Sequence, residues 1–276
     1  MNDLFLERMR EMLKDEYPAY LEKLNDPARK GLRINTLKIT PDDFFACTNY
    51  ELEKSPFAKN GYYANIKSGV GFTPEHMAGF FYIQEPSASS AVTILDPKPG
   101  MKVLDMCAAP GSKSTQISEM LEQEGLLVAN EIHPTRSRIL LENIERCGSA
   151  NTIVLNNDPK DISKAFPEFF DMVLCDAPCS GEGMFRKEDQ AVEQWSLENV
   201  QACALRQSYI LEEAYKCLKP GGTMVYSTCT FAIEENELCM QKFIQEHPDM
   251  HLVPIEVDFG RKAFDLGSHT DYARRI

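Results

Sequence analysis

The sequence predicts an α/β fold, a doubly wound and mostly parallel sheet of the Rossmann-like kind, with a small N-terminal α/β lobe attached. Two observations carry that expectation. Beyond Gly100, short apolar runs alternate with longer stretches of helical periodicity, the rhythm of parallel strands joined by right-handed crossover helices. The composition, 43% apolar and 26% charged over 276 residues, is that of a packed body and excludes a disordered, collagenous or fibrous chain.

The elements follow in order. Leu4, Phe5, Met9, Met12 and Leu13 recur at helical spacing, so the chain opens on an amphipathic helix that Pro18 is expected to end. Apolar and polar residues alternate from Gly31 to Lys38 as in a half-exposed strand, and a short helix starts at Pro41. Gly69, Gly71 and Pro74 punctuate the approach to a second helical stretch, and Pro86 opens a helix running to about Leu95. The sheet strands are then Val103-Leu104, Leu126 to Ala129, Thr152 to Leu155, Met172 to Cys175 and Thr223 to Ser227. The division expected is an N-terminal lobe at 1–86 and a larger domain at 87–276.

Charge and cysteine content narrow the setting. The net charge is −13, so a nucleic-acid partner needs a local patch, since the overall field repels phosphate. Residues 1–86 carry 11 basic and 13 acidic side chains, against 18 and 29 in residues 87–276, which makes the N-terminal part the less repulsive. Nine cysteines without short paired spacings argue for reduced thiols. No apolar run reaches the roughly 18 residues that cross a bilayer, and the first residues are charged where a signal peptide is apolar. A cytoplasmic protein with no membrane partner is expected.

In a doubly wound sheet, ligands collect at the carboxyl ends of the strands. The first strand runs into Asp105-Met-Cys-Ala-Ala-Pro-Gly-Ser-Lys113, a turn of small side chains that lets backbone approach a ligand, followed by the N–H groups of a helix start. It has the glycines of neither a dinucleotide fingerprint nor a phosphate-binding loop, pointing instead to a ligand that carries a carboxylate. Glu131 closes the second strand, where an acid accepts from ribose hydroxyls; Asp158 lies past the third and Asp176 ends the fourth. Four carboxylates along one edge favour an adenosine-type site. Cys179 and Cys229 follow the fourth and fifth strands, and neighbouring strands lie roughly 5 Å apart, so both thiols can face one pocket. Cys47, Cys147, Cys175, Cys203, Cys217 and Cys239 read as small apolar residues. No cysteine pairing or histidine spacing suits zinc, and Cys-x-x-Cys is absent, which leaves covalent catalysis.

From about Leu32 to Glu237 the chain resembles the Sun family of RNA cytosine methyltransferases. The resemblance rests on Arg33-Ile-Asn35, Gln84-Glu-Pro-Ser87, the Asp105 to Lys113 turn, Glu131 with Arg136, Asn143-x-x-Arg146-x-Gly148, Asp176-Ala-Pro-Cys-Ser-Gly181, Ser227-Thr-Cys229 and Asn236-Glu237. The segment Cys179 to Lys187 is similar to the bacterial small-subunit ribosomal RNA branch, the RsmF type. The resemblance implies S-adenosylmethionine as cofactor, with Cys107, Ala108, Ala109, Pro110, Gly111 and Lys113 around its methionine end, Glu131 and Arg136 at the ribose, Asp158 at the adenine, and Asp176 shared between cofactor and target base. It implies Cys229 as nucleophile and Cys179 as the group that assists release. An RNA-facing N-terminal lobe with Arg29, Lys30, Arg33, Asn35 and Lys38, a 16S ribosomal RNA substrate, a monomer and no metal complete the expectation.

Two departures from the family pattern stand out. Ser112 replaces a second glycine common in the family, and family members continue past a segment like Asp271 to Ile276 into strands that complete the sheet and, in the RsmF type, into a further RNA-binding domain. The methyltransferase domain therefore reads as truncated at its C-terminal end. Two other functions fit the same residues: a DNA cytosine methyltransferase, in which Cys179 attacks, and a catalytically silent ribosome-assembly protein.

Overall fold

The structure, a computed structural model, describes residues 2–24, 26–66 and 69–276. Helices α1 (Asp3–Leu13) and α2 (Tyr17–Leu24) lead into β1 (Gly31–Ile34), α3 (Pro41–Cys47), β2 (Leu52–Lys54), β3 (Gly61–Ala64), α4 (Pro74–Met77) and β4 (Phe81–Gln84). The four strands form an antiparallel sheet in the order β2-β3-β1-β4, closed over Leu32, Ile34, Phe44, Val70 and Phe81. Pro18 does not end the first helix. It occupies the first turn of α2, where a missing N–H costs nothing. The strand expected from Gly31 to Lys38 stops at Ile34, because Asn35 turns the chain: its carbonyl accepts from the Lys38 N–H at 3.1 Å and the Ile39 N–H at 3.2 Å, and its side-chain oxygen accepts from the Leu37 N–H at 3.2 Å.

Beyond the lobe come α5 (Ser90–Leu95), β5 (Lys102–Asp105), α6 (Ser112–Met120), β6 (Leu126–Asn130), α7 (Pro134–Cys147), β7 (Thr152–Leu155), α8 (Pro159–Ala165), β8 (Phe170–Asp176), α9 (Asp189–Gln194), α10 (Leu197–Cys217), β9 (Leu218–Ser227) and α11 (Glu237–Glu246). The strands form one parallel sheet in the order β7-β6-β5-β8-β9. Strand alternation divides the core. Leu104, Val128, Val173 and Cys175 meet Ile210, Leu211 and Ala214 of α10 on one face, while Val103, Leu127 and Leu174 meet Val92, Leu95 and Ile117 on the other, as the period of two along a strand requires. A separate ribbon of β10 (Arg261–Lys262) and β11 (Arg274–Arg275) follows.

The order reverses between β5 and β8, which makes the space beyond Asp105 and Asp176 the switch-point crevice of the sheet. Helices α1 and α2 pack there. Phe5, Met9 and Tyr17 share a cluster with Phe185, Trp195, Val200 and Ala232, so the N-terminal helices cover the segments that follow the two cysteine loops.

Candidate functional site

The turn after β5 is built for close approach. A cis Ala109-Pro110 bond and a left-handed Gly111 (φ +112°) fold it back, and a Cβ on Gly111 would stand 3.1 Å from Leu140 Cδ1 of α7. Three side chains hold it from outside: Arg136 donates to Ala109 O at 2.9 Å, Asn143 to Pro110 O at 2.9 Å and the Tyr82 hydroxyl to Pro110 O at 3.3 Å. Asn143 is itself fixed by Arg146, which also ties down His76 O and Phe81 O of the small lobe. These contacts give a physical role to Asn143 and Arg146, and Gly148 ends their helix in a left-handed conformation (φ +76°).

Beneath the turn Asp105 is fully buried; one oxygen accepts from Ser114 Oγ at 2.7 Å and the other, Oδ1, has no partner. Burial pushes its pKa up to about 7. At the end of β6, the buried Glu131 accepts from the His133 N–H at 2.8 Å and pairs with Arg136 at 3.3 Å. Asp158 caps α8 by accepting from the Lys160 N–H at 2.9 Å and also takes the Tyr209 hydroxyl. The Tyr209 hydrogen bond, then the Lys160 N–H, hold its carboxyl below the usual range.

Cys179 and Cys229 lie in loops after adjacent strands, and their sulfurs converge to 2.9 Å. Both are free thiols. Cys229 lines a cleft of about 2410 Å³ together with Gln84, Lys113, Asp176 and Ser227. Beside it, Lys113 Nζ meets Asp176 Oδ2 at 2.7 Å and Ser227 Oγ donates to Asp176 Oδ1 at 2.7 Å. Burial alone would lower the Lys113 pKa, but Asp176 outweighs it and leaves the ammonium strengthened. The hydrogen bond from Cys179 lowers the Cys229 pKa, with Lys113 assisting. The same contact, then burial, raises that of Cys179. One thiol of the pair is thus set up as a thiolate and the other as its proton-bearing neighbour.

Two expected RNA contacts are corrected. Arg33 is 2% exposed and clamps Glu119 and Thr115 of α6, while the equally buried Asn35 donates to Gly79 O and Cys147 O, both at 2.8 Å. Both fasten the small lobe to the large domain, since an unpartnered guanidinium or amide there would be a costly buried group. Arg29, Lys30 and Lys38 are exposed; Arg29 lies over the Tyr63 ring at 3.6 Å and pairs with Glu53 at 2.8 Å. Not anticipated were Lys187, which pairs with Glu85 between the two parts of the chain, and two buried carboxyls behind the cysteine loops, Glu182 and Glu235. Burial of an acid is not visible in sequence, where Glu234-Glu235 reads as solvated charge.

A family model described as 16S rRNA methyltransferase RsmB/F matches residues 92–273, and one for the N-terminal domain of 16S rRNA methyltransferase RsmF matches residues 1–86. Among curated relatives named ribosomal RNA small subunit methyltransferase F, the Vibrio cholerae protein is 43% identical over 243 residues, covering 84% of this chain and 51% of its own length. The Escherichia coli protein is 40% identical over 258 residues, covering 90% and 54%. The chain thus spans about half the length of these relatives. A methyltransferase homolog protein from Pyrococcus horikoshii superimposes with a TM-score of 0.85 at 30% identity, over 100% of this chain and 90% of that one. NSun6 from the same organism, solved with SFG, shares the fold at a TM-score of 0.82 and 22% identity, over 94% and 90%. With the family model matching the whole sheet and both cysteine loops, the chain belongs to the 16S rRNA methyltransferase RsmB/F family.

Proposed function

We propose that this chain transfers a methyl group from S-adenosylmethionine to carbon 5 of a cytosine in 16S ribosomal RNA, through a covalent bond between Cys229 and the base. The observation that carries the reading is the 2.9 Å approach of the two sulfurs beside the Lys113–Asp176 pair at the switch-point crevice. The nine free thiols support a reducing, cytoplasmic setting.

The residues present suit the cofactor. The small-residue turn and Gly111 give room for its methionine end, the unpartnered Asp105 Oδ1 is an acceptor beneath the turn, and Glu131 offers a fixed carboxylate for a ribose. Bound there, S-adenosylmethionine supplies an electrophilic methyl group at a sulfonium.

The target base must leave its stack to reach the cleft. Asp176, fixed by Lys113 and Ser227, and the Lys113 ammonium beside it present an acceptor and a donor to the base edge. The Cys229 thiolate adds to carbon 6, and the electron pair displaced from the C5–C6 double bond makes carbon 5 nucleophilic, so that carbon 5 would form the bond to the methyl group while the S–CH3 electron pair would remain on the departing thioether sulfur. Once the Cys229 sulfur is spent in a C–S bond, its charge is gone, and Cys179 loses the acceptor that favoured its protonated form. Cys179 then ionises into the cleft water and takes the carbon 5 proton; the C–H electrons restore the double bond and the C6–S bond breaks, returning the Cys229 thiolate.

The test is methyl transfer from labelled S-adenosylmethionine into 16S RNA, with the labelled nucleoside identified. The expected product is 5-methylcytosine, lost in Cys229→Ala. A Cys229→Ala protein that still methylates, or one that methylates DNA through Cys179, would overturn the reading.

A further inference from the structure

Behind the sulfur pair, the two cysteine loops hold each other through two buried carboxyl groups that cross in opposite directions. Glu235, on the loop after Cys229, is 0% exposed. Its Oε2 accepts from the Ser180 N–H at 3.0 Å and from Gln207 Nε2 at 2.7 Å, and its Oε1 accepts from the Ser180 hydroxyl. Gln207 also donates to Pro178 O at 3.0 Å. The residues on both sides of Cys179 are therefore pinned, directly or through Gln207, to one carboxyl group of the other loop. Glu182, on the Cys179 loop, runs the other way: it accepts from the Phe231 N–H at 3.0 Å and from Trp195 Nε1 at 2.9 Å. The Gly183 N–H meets Cys229 O at 2.8 Å, and a Cβ on Gly183 would stand 2.8 Å from that same oxygen.

We infer that Glu235 and Glu182 are positioning residues with separable effects, Glu235 fixing Cys179 for release and Glu182 fixing Cys229 for attack. The inference rests on the covalent reading above. Burying two acids is expensive unless donors meet them, and here each acid takes a backbone N–H of the opposite loop, Glu235 that of Ser180 and Glu182 that of Phe231, with Gln207 and Trp195 completing the two carboxylates. Neither touches the cleft. Their effect on chemistry passes through the sulfur separation, to which transfer steps are steeply sensitive.

The test uses the full chain with unmodified 16S RNA and S-adenosylmethionine, reading denaturant-stable protein–RNA adduct and methyl transfer, both normalised to the folded fraction counted by cofactor titration. Glu235→Gln keeps the side-chain shape but sets an amide donor against the Ser180 or Gln207 donors, and Glu235→Ala removes the group. Both are expected to lengthen adduct lifetime and reduce turnover by ~10- to 100-fold, in the manner of Cys179→Ala, with KM for the cofactor unchanged. Glu182→Gln is expected to do the opposite: in a Cys179→Ala background it slows adduct formation. If Cys179→Ala accumulates adduct while the Glu235 variants lose turnover without any, or if the losses vanish on normalisation, the positioning role is refuted and the covalent reading stands. Absence of adduct in Cys179→Ala itself refutes the covalent reading and this inference with it.

Discussion

Of the two thiols, Cys229 is the one whose neighbour donates to it, which is why the proposed mechanism gives it the attack. The S–H of Cys179 and the charge of Lys113 both favour the thiolate, so its pKa falls below that of an ordinary thiol. A group with a lowered pKa gains its charge at lower pH, and the alkylation rate of Cys229 by iodoacetamide should rise at a lower pH than that of a free cysteine. Lys113→Met is expected to move that midpoint up, and Cys179→Ala to move it up further; a profile unmoved by either change would show the thiol to be unperturbed. Asp105 works in the other direction. Its carboxyl keeps a proton to about pH 7 in the fold, against 3.8 in an exposed acid, so the folded state binds more protons than the unfolded one between those limits. Stability carried below pH 4 is therefore lost as pH rises to 7, by at most about 4 kcal/mol. Asp105→Asn removes this dependence, and its melting temperature should gain on the parent protein across that range. A parallel pair of curves would remove the linkage.

Elements were legible where burial is continuous. The central strands β5, β6 and β8 are apolar runs with buried centres, and four of the five strands lie within about two residues of where the sequence places them; β9 starts earlier, at Leu218, because its first half is a polar edge segment, Lys219-Pro-Gly-Gly222. The small lobe was less so: β2, β3 and β4 are strands of three or four residues, short enough for polar neighbours to hide the alternation. The candidate site divides in the same way. The position of the two cysteines after adjacent strands foretold their convergence, whereas Arg33, one charge among several in a basic-looking stretch, is buried against α6. Its pairing with Glu119 is supported by Thr36 Oγ1 at 3.0 Å and Asn60 Nδ2 at 2.9 Å on the same carboxylate. Removing the guanidinium leaves that acid buried with fewer partners, and Arg33→Met should destabilise the protein by ~3–5 kcal/mol. Chemical denaturation measures the loss, and RNA affinity per folded molecule should not change. A stable variant with weakened RNA binding would return Arg33 to the RNA surface.

At the scale of the molecule, two bodies meet across the crevice in which the chemistry is proposed. Arg33, Asn35 and Arg146 bolt the small lobe to α6 and α7, while α1 and α2 seal the far side of the cysteine loops. This arrangement brings Tyr82, Gln84 and Glu85 of the lobe into the wall of the cleft that Cys229 lines. The net charge of −13 repels phosphate, and Arg29 is already paired with Glu53. The salt dependence of RNA binding by this chain should be shallow, a slope in log K against log salt of magnitude below about 4; a steeper slope would reveal a basic surface unaccounted for. The central claim, two sulfurs with different duties at one pyrimidine, is tested most directly by peptide mapping after reaction with RNA carrying 5-fluorocytidine, whose carbon 5 has no proton to surrender. The expected result is a stable RNA adduct on the peptide containing Cys229, with Cys179 free. An adduct on Cys179 would contradict the account.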